Sequence, residues 1–294
     1  MDSGQWTVDN GAVESEKIPC SVLILTRLAG RTLERCLRPL APFGEILVHD
    51  ANSTDDTIAI AKKSGARVLR QYETDEPNVR VKDFTKIRLK QRANAAFDWV
   101  LYIDADEIMP PALVTEVEEI LRDAHIKTIV KFPRLPIVDG NIIRHGAFWP
   151  EIVPRLHHRK GGCTLQAGKT VHEKYVYDGS FTEIITKAPL YVPMEPLADL
   201  LQKDDTYIAL EIAKLRQKGF MTLSHYVRWF LFREPMIAAH IGLRVVLCRI
   251  RHAARDSLPL RYEFRALRYH AKLFFAFTAF FSTQKFRGRR SAMD

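Results

Sequence analysis

Two carboxylates that follow an apolar run are the strongest chemical signal in this sequence. The run from Trp99 to Ile103 leads directly into Asp104 and Asp106, which stand two residues apart. A short apolar run of this kind is typical of a strand buried on both faces, and groups beyond the carboxyl end of such a strand line the ligand crevice of a parallel sheet. Neighbouring carboxylates repel each other unless a cation joins them, and Mg²⁺ or Mn²⁺ carrying substrate phosphates prefers oxygen ligands. The pattern indicates a metal-and-phosphate site, with a solvated acidic turn as the alternative.

The sequence before this pair alternates apolar runs with helical patterns. Strands are predicted at 20–26, 45–50, 66–71 and 99–104, and helices at 32–40, 58–64 and 84–97. This alternation predicts an α/β fold with a parallel sheet and right-handed crossovers. Thr26 and the segment 50–53 would then lie at the same sheet edge as Asp104. Three polar clusters at one predicted edge favour a nucleotide site over an isolated acidic turn.

Asp50 leaves two interpretations open. It stands at the end of an apolar strand, so its carboxylate could accept hydrogen bonds from a base or a ribose. It could equally cap the following helix, near which Ser53 and Asp56 have the spacing of a capping box. The residues alone do not choose between these roles.

The composition is that of a globular protein. The chain has 294 residues, 47% hydrophobic and 27% charged, which is enough for one large domain or one domain with an appendage. Its four cysteines form no CxxC pair, which favours a reducing compartment. Residues 1–17 are polar and lack the apolar core of a secretory signal, so a flexible tail is predicted there.

The net charge of +9 is concentrated near the C-terminus. Residues 225–294 hold fourteen lysines and arginines against four acidic residues, whereas the rest of the chain is nearly neutral. Basic residues interleaved with aromatic ones are typical of helices that lie on an anionic membrane surface. The strongest apolar run, Leu273–Phe281, is too short to span a bilayer. Two alternatives are packing of the aromatics on the rest of the protein and binding of single-stranded nucleic acid, which a phenylalanine run fits poorly. The aromatic residues concerned are Trp229, Phe230, Phe232, Phe264, Phe274, Phe275 and Phe277.

Several segments carry further motifs in a fixed order. They are Cys20–Leu28, Ile46–Thr57, Phe84–Arg88 and Trp99–Glu107, followed by 143–151, 155–156, 171–173 and 269–273. The first four resemble the signatures of family 2 glycosyltransferases with the GT-A fold. The later ones are similar to the inverting β-glycosyltransferases that extend the inner core of bacterial lipopolysaccharide or lipooligosaccharide. The resemblance covers about residues 19–195, and beyond them only the short YHAKL match at 269–273.

The resemblance implies metal-dependent sugar transfer from a nucleotide donor. The nucleoside part of the donor would be held by Thr26, Asp50, Asn52 and Ser53. Arg88 would reach the diphosphate or ribose region. Asp104 would contact the ribose or metal-bound water, and Asp106 would be the direct ligand of Mg²⁺ or Mn²⁺.

The resemblance also implies a carboxylate base that takes the proton from an acceptor hydroxyl. Glu173 is the favoured candidate and Glu151 competes with it, while a structural salt bridge is the alternative for each. The residues predicted to bind the acceptor are Trp149, Arg155 and His172, and the tryptophan would offer a stacking surface for a sugar.

Two further histidines, His157 and His158, are adjacent in the sequence. Neighbouring residues of a strand point to opposite faces, so the pair does not predict a metal cluster. Both are expected at the surface.

The prediction is therefore a GT-A catalytic domain at 18–195, with a Rossmann-like, mostly parallel sheet, and a basic, mainly helical, membrane-associating region at 196–294. The expected partners are a nucleotide sugar, with UDP-glucose favoured, a lipid-linked oligosaccharide acceptor and an anionic membrane surface, but not nucleic acid. The expected location is peripheral, on the cytoplasmic face of the inner membrane. Transfer to polyprenyl phosphate is the competing reaction. A basic membrane- or nucleic-acid-binding scaffold with a vestigial nucleotide fold is the competing class of protein.

Overall fold

The computed structural model describes residues 16–81, 83–146, 149–166, 175–218 and 223–290. The chain divides into two compact units: unit 1 takes in Met1–Lys131 and Pro154–Thr186, and unit 2 takes in Phe132–Val153 and Lys187–Asp294. The predicted boundary at residue 195 stays a prediction, and residues 1–15 of the predicted tail lie outside the described residues.

Unit 1 is a mixed α/β structure around a mostly parallel sheet. β1 (Ile18–Thr26) pairs in parallel with β2 (Phe43–Asp50) and with β4 (Trp99–Asp104). β2 pairs in parallel with β3 (Arg67–Arg70), and β7 (Glu151–His158) is antiparallel to β4. The strand order is β7-β4-β1-β2-β3. A mostly parallel sheet of this kind matches the fold class expected from the sequence. The elements are β1 (Ile18–Thr26), α1 (Leu33–Leu37), β2 (Phe43–Asp50), α2 (Thr57–Lys63), β3 (Arg67–Arg70), α3 (Phe84–Ala93), β4 (Trp99–Asp104), α4 (Pro111–Asp123), the start of β5 (Thr128–Val138), most of β7 (Glu151–His158), β8 (Thr164–Leu165), β9 (Tyr175–Val176) and β10 (Thr182–Ile185).

The strand ends converge as the sequence predicts. In the register of the sheet Thr26 lies opposite Asp50, and Leu25 lies opposite Asp104. These strands carry apolar side chains on both faces, as expected for a parallel sheet that is covered on both sides. Leu23 and Leu101 are fully buried. The carboxyl ends of β1, β2 and β4 therefore form one edge, and the polar residues of three predicted clusters stand along it.

Helix boundaries depart from the sequence prediction where polar side chains bond to the backbone. The helix predicted to run to residue 97 ends at Ala93, because the Asn94 side chain donates to the carbonyl of Lys90 at 2.9 Å. The predicted capping box is wrong. The hydroxyl of Ser53 donates to Asp50, and the next helix begins only at Thr57 with Asp56 as its N-cap.

The surface prediction for the two adjacent histidines is also wrong. His157 is 1% exposed and His158 is 9% exposed. The ring of His157 stacks on Tyr102 with 5.7 Å between centroids, and His158 meets the edge of Trp99 at 5.1 Å. They do point to opposite faces of β7, but both faces of that strand are covered, so alternation did not imply exposure.

Unit 2 joins short strands to a set of helices. β6 (Asn141–Ile142) is antiparallel to β5, and β11 (Leu190–Pro193) is parallel to it. The helices are α5 (Leu197–Lys218), α6 (Leu223–Tyr226), which continues as a π-helical turn at Val227–Arg233, α7 (Glu234–Arg251) and α8 (Leu260–Arg290). In the part of the chain that the structure describes, no helix is long and apolar enough to cross a membrane.

Candidate functional site

The carboxylate of Asp104 lies between two guanidinium groups. Arg88 of α3 donates to Oδ1 at 2.8 Å, and Arg155 of β7 donates to Oδ2 at 2.9 Å. The side chains of the two arginines are 8% and 12% exposed, whereas that of Asp104 is 41% exposed. The acidic group is therefore oriented by two nearly buried cations while it remains accessible from solvent.

Glu107 closes the turn that follows β4. It is fully buried, and its carboxylate accepts a hydrogen bond from the backbone N–H of Asp104 at 2.9 Å. The same carboxylate forms an ion pair with Arg155. The backbone N–H of Glu107 in turn donates to the carbonyl of Asp104 at 3.0 Å. The two bonds close a turn between residues three apart. A carboxylate three residues beyond the strand end is the sequence signal that could have revealed Glu107.

The charges of this cluster are matched. Burial alone would lower the pKa of Arg155, but the charges of Asp104 and Glu107 outweigh burial and hold its pKa above the ordinary value. The predicted acceptor-binding role of Arg155 stays a prediction. The structure places its guanidinium on the two carboxylates of the turn, where it fixes the position of Asp104.

Arg88 is held in place by a strand residue beneath it and by a residue of its own helix. Its guanidinium lies 5.2 Å from the centre of the Tyr102 ring, and one nitrogen donates to Gln91 at 3.4 Å. Gln91 anchors α3 by donating to the carbonyl of Ile24 at 2.8 Å. The same helix therefore carries the cation and a side chain that locks the helix to β1.

Cys36 lies beneath the same turn without being reactive. Its thiol donates to the carbonyl of Asp104 at 3.5 Å. Burial raises the pKa of the Cys36 thiol, and the negative charges of Glu107, Asp106 and Asp104 raise it further. The sulfur therefore stays protonated near neutral pH and cannot serve as a nucleophile.

The oxygen ligands of the turn suit a hard divalent cation. Asp106 lies two residues beyond Asp104 in the same turn and is half-buried. Mg²⁺ and Mn²⁺ bound with substrate phosphates need only one or two protein carboxylates, because phosphates and water complete the coordination. Within the described ranges, no group of three or more histidine, cysteine or acidic side chains is arranged to hold a metal. The two carboxylates of the turn are oxygen ligands of the type that Mg²⁺ and Mn²⁺ take.

Asp50 is a buried acceptor within a local network. Ser53 donates to it from its backbone N–H and from its hydroxyl, both at 2.7 Å, and the hydroxyl of Thr26 donates at 2.8 Å. Gln71 donates to the carbonyl of Thr26 at 3.0 Å. Asp50 therefore closes a local turn through Ser53 and does not cap the following helix, whose N-cap is Asp56. Its nucleoside-binding role stays a prediction, and three of the four residues predicted for that role are joined by these hydrogen bonds.

A cavity of about 490 Å³ opens beside this network. Asn52, at a φ of 58°, donates from its side chain to the carbonyls of Thr74 and Glu76 and so fixes the loop on the far side of the cavity. The walls combine cationic, anionic and apolar side chains. The lining residues are Asp50, Asn52, Ser53, Thr54, Ile58, Lys62, Val68, Leu69, Arg70, Asp75 and Pro77.

The predicted base and acceptor-binding residues other than Arg155 lie either in unit 2 or outside the described residues. Glu151 belongs to unit 2, where its carboxylate accepts from Arg134 at 3.0 Å. Trp149 is half-buried in the same unit and packs against a cluster that includes Ile143. His172 and Glu173 lie outside the described residues.

Comparison with known proteins defines the family. An uncharacterised glycosyltransferase of Rickettsia conorii is 36% identical over 230 residues, which is 74% of this chain and 78% of the relative. The lipopolysaccharide core biosynthesis glycosyltransferase LpsC of Rhizobium meliloti is 24% identical over 210 residues, which is 69% of this chain and 74% of LpsC. No protein-family model matches the chain.

The chain therefore belongs to the glycosyltransferases, and it is an enzyme of that class. The resemblance drawn from its motifs is confirmed. Among solved structures, glucosyl-3-phosphoglycerate synthase from Mycobacterium tuberculosis, bound to Mn²⁺ and UDP-glucose, is 30% identical over 39% of this chain and 43% of its own, with a TM-score of 0.33. That likeness is partial, and it establishes neither the fold nor the ligands of this chain.

Proposed function

We propose that this enzyme is an inverting, metal-dependent hexosyltransferase that moves a sugar from a nucleotide donor, with UDP-glucose favoured, to a hydroxyl of a lipopolysaccharide core oligosaccharide. The observation that carries the proposal is the accessible carboxylate of Asp104, oriented by two nearly buried arginines at the sheet edge that also holds Asp50. The relationship to LpsC, which is named for lipopolysaccharide core biosynthesis, supports the acceptor.

The donor would lie along this edge. The nucleoside would occupy the cavity beside Asp50, where Asn52 and Ser53 contribute to the wall. The diphosphate would point toward the turn after β4. Arg88 lies at that turn, and its guanidinium could exchange part of its bonding from Asp104 to a phosphate oxygen.

A divalent cation would be held by Asp106, with Asp104 beside it. When bound, Mg²⁺ or Mn²⁺ neutralises charge on the departing nucleoside diphosphate. The protein contributes the placement of both carboxylates, because Glu107 and Arg155 fix the backbone and the side chain of Asp104.

Inversion requires a base on the acceptor side of the sugar. As the bond from the sugar to the diphosphate breaks, the sugar gains oxocarbenium character and the acceptor hydroxyl attacks the opposite face. A carboxylate takes the proton of that hydroxyl. Glu173 remains the favoured base. Glu151 is the alternative, and its carboxylate lies in an ion pair with Arg134.

A lipid-linked acceptor places the enzyme at a membrane. We include in the proposal a peripheral location on the cytoplasmic face of the inner membrane, held by the basic region 196–294. The net charge of +10 over residues 225–294 supports attraction to anionic lipid.

The test is a transfer assay with defined donors. Purified enzyme is incubated with UDP-glucose, Mn²⁺ and a deacylated core oligosaccharide, and the anomeric configuration of the product is read by NMR. We expect an inverted linkage and no product when the metal is chelated. Glu173→Gln and Glu151→Gln are assayed separately, and the variant of the true base should lose roughly 10²–10⁴-fold in kcat. A retained configuration, or full turnover by both variants, would contradict the mechanism.

A further inference from the structure

Helix α7 presents an exposed apolar stripe along its outer face. Its large aliphatic side chains recur at intervals of three, four and seven residues, which places them on one side of a helix. Their exposed fractions are high for residues of this type. They are Met236 at 70%, Leu243 at 58%, Val246 at 54%, Leu247 at 36% and Ile250 at 76%.

The opposite face of the same helix is already packed. Ile241 and Val245 are buried and contact Ala266 and Leu267 of α8. Glu234 is also buried, and its carboxylate pairs with the ring of His270 at 2.6 Å. The outer stripe is therefore not the core-facing side of the helix. Folding of unit 2 leaves it on the surface, where contiguous apolar area marks an interaction site.

The charges beside the stripe select the kind of partner. Arg244 and Arg251 are exposed and lie next to it on the helix, while Glu234, the only acidic residue of α7, is buried on the other face. A second copy of this chain would bring arginines against arginines. Nucleic acid would meet the arginines but would not bury four or five aliphatic side chains. An anionic lipid surface satisfies both features, since headgroups pair with the arginines and the acyl boundary takes the aliphatic groups.

We propose that α7 lies in the plane of an anionic membrane, with its outer stripe in the boundary between headgroups and acyl chains. This inference rests on the proposed function, whose acceptor is lipid-linked, and it identifies the element that contacts the lipid. The phenylalanines of α8 differ in exposure: Phe264 is 56% and Phe275 68% exposed, whereas two others face inward. Phe277 is 7% exposed and Phe281 is 9% exposed, and both pack against Tyr226 inside unit 2.

The geometry gives the contact a defined size. An α-helix of the 18 residues of α7 is about 27 Å long, so the stripe forms a line across the surface of unit 2 rather than a point. Arginines beside such a line can extend their charged ends to the headgroups while their methylene stems stay with the apolar stripe.

The test measures binding to vesicles. The full chain is sedimented with vesicles of phosphatidylcholine alone and of phosphatidylcholine with one part in three phosphatidylglycerol. The stripe variant is Met236→Ser with Leu243→Ser and Ile250→Ser. We expect the parent to bind the anionic vesicles. The variant should bind them roughly 1,000-fold more weakly, because burial of each of the three large apolar side chains contributes about tenfold. Arg244→Gln with Arg251→Gln should lose the preference for anionic over neutral vesicles.

A matched control removes exposed aliphatic groups elsewhere. Ile126, Val176 and Ile185 are exposed on unit 1, and their joint replacement by serine should leave vesicle binding within about twofold of the parent, since surface substitutions outside the contact make little difference. Circular dichroism and a thermal melt confirm that all variants fold.

Two results with the stripe variant would overturn the inference. One is vesicle binding that the stripe variant retains. The other is a dimer of the parent, seen by light scattering, that the stripe variant dissociates while vesicle binding is unchanged, because the stripe would then join two copies. Turnover of UDP-glucose in vesicle-free solution is measured in parallel. A parent that transfers sugar but binds no vesicles overturns the membrane contact alone, and one that binds vesicles through α7 but transfers no sugar overturns the proposed function alone.

Discussion

At the scale of single residues, Arg155 is the side chain on which the site depends most. It connects Asp104, which faces solvent, to Glu107, which is fully buried. A buried carboxylate is stable only while a cation and hydrogen bonds compensate its desolvation. The structural role of Arg155 and the chemical role of Asp104 are therefore linked, because the group that stabilises the turn also orients the acidic group that the donor would meet.

Replacing Arg155 with methionine should destabilise the protein strongly. The substitution keeps most of the side-chain volume but leaves the charge of Glu107 buried without its cation, which costs about 3–5 kcal/mol when one partner of a buried pair is removed. Urea denaturation followed by circular dichroism measures the loss. Adding Glu107→Gln to the same chain should restore much of the stability, since the carboxylate that paired with Arg155 is then neutral.

The matched control is Arg134→Met, which removes the partner of Glu151. That carboxylate is half-exposed, so its ion pair contributes less than about 1 kcal/mol. Equal destabilisation by the two arginine variants would show that the charge of Glu107 is compensated in another way.

At the scale of strands and helices, the sequence predicts where the site lies better than it predicts what each side chain does. The apolar run of β4 ends at Asp104 in both sequence and structure, because burial on both faces leaves no ambiguity about its length. The use of Asn52 to hold the loop at Thr74, and of Ser53 to bond Asp50, could not be predicted. Those bonds depend on a loop whose path no local pattern specifies.

The covered faces of β2 and β7 make the fold sensitive to acid. Burial lowers the pKa of His157 to about 3, with Arg92 adding to the effect, and burial lowers the pKa of His49 to about 4. Both rings are therefore neutral in the folded chain at pH values where the unfolded chain, with a histidine pKa near 6.5, is protonated. The unfolded state binds more protons, so the free energy of unfolding must fall as pH falls from about 6.5 toward 3.

We expect His157→Phe to remove the contribution of this histidine to the change of the free energy of unfolding with pH. Phenylalanine can keep the stack on Tyr102 but cannot be protonated in the unfolded state. At pH 4.5 the parent should have lost about 2.7 kcal/mol through this histidine relative to pH 7.5, and the variant should not show that part of the loss. Urea titrations at both pH values give the comparison. His125→Phe, which changes an exposed ring, serves as the control, and an equal effect of the two variants would contradict the burial argument.

At the scale of the whole molecule, the two compact units carry different chemistry. Unit 1 holds the acidic turn, the two buried arginines and the cavity beside Asp50, whereas unit 2 holds most of the excess positive charge. This division explains why the sequence predicted a basic region with a function of its own. The sequence did not predict the α7 stripe. His240 and Arg244 interrupt the apolar run in sequence, whereas the helix places them beside the stripe.

Binding of donor and metal should stabilise the molecule through unit 1. A ligand that binds only the folded state at one hundred times its Kd adds about 2.7 kcal/mol, which raises Tm by roughly 5–10 °C for a protein of this size. We expect UDP with Mn²⁺ to raise Tm more than UDP alone, and Asp106→Ala to abolish the part that depends on Mn²⁺. Glu118→Ala, on the exposed surface of α4, should respond as the parent does. Since the proposed donor and metal site lies in unit 1, a calorimetric trace with two transitions should show a shift in only one of them. A response to Mn²⁺ that survives Asp106→Ala would place the cation elsewhere in the chain.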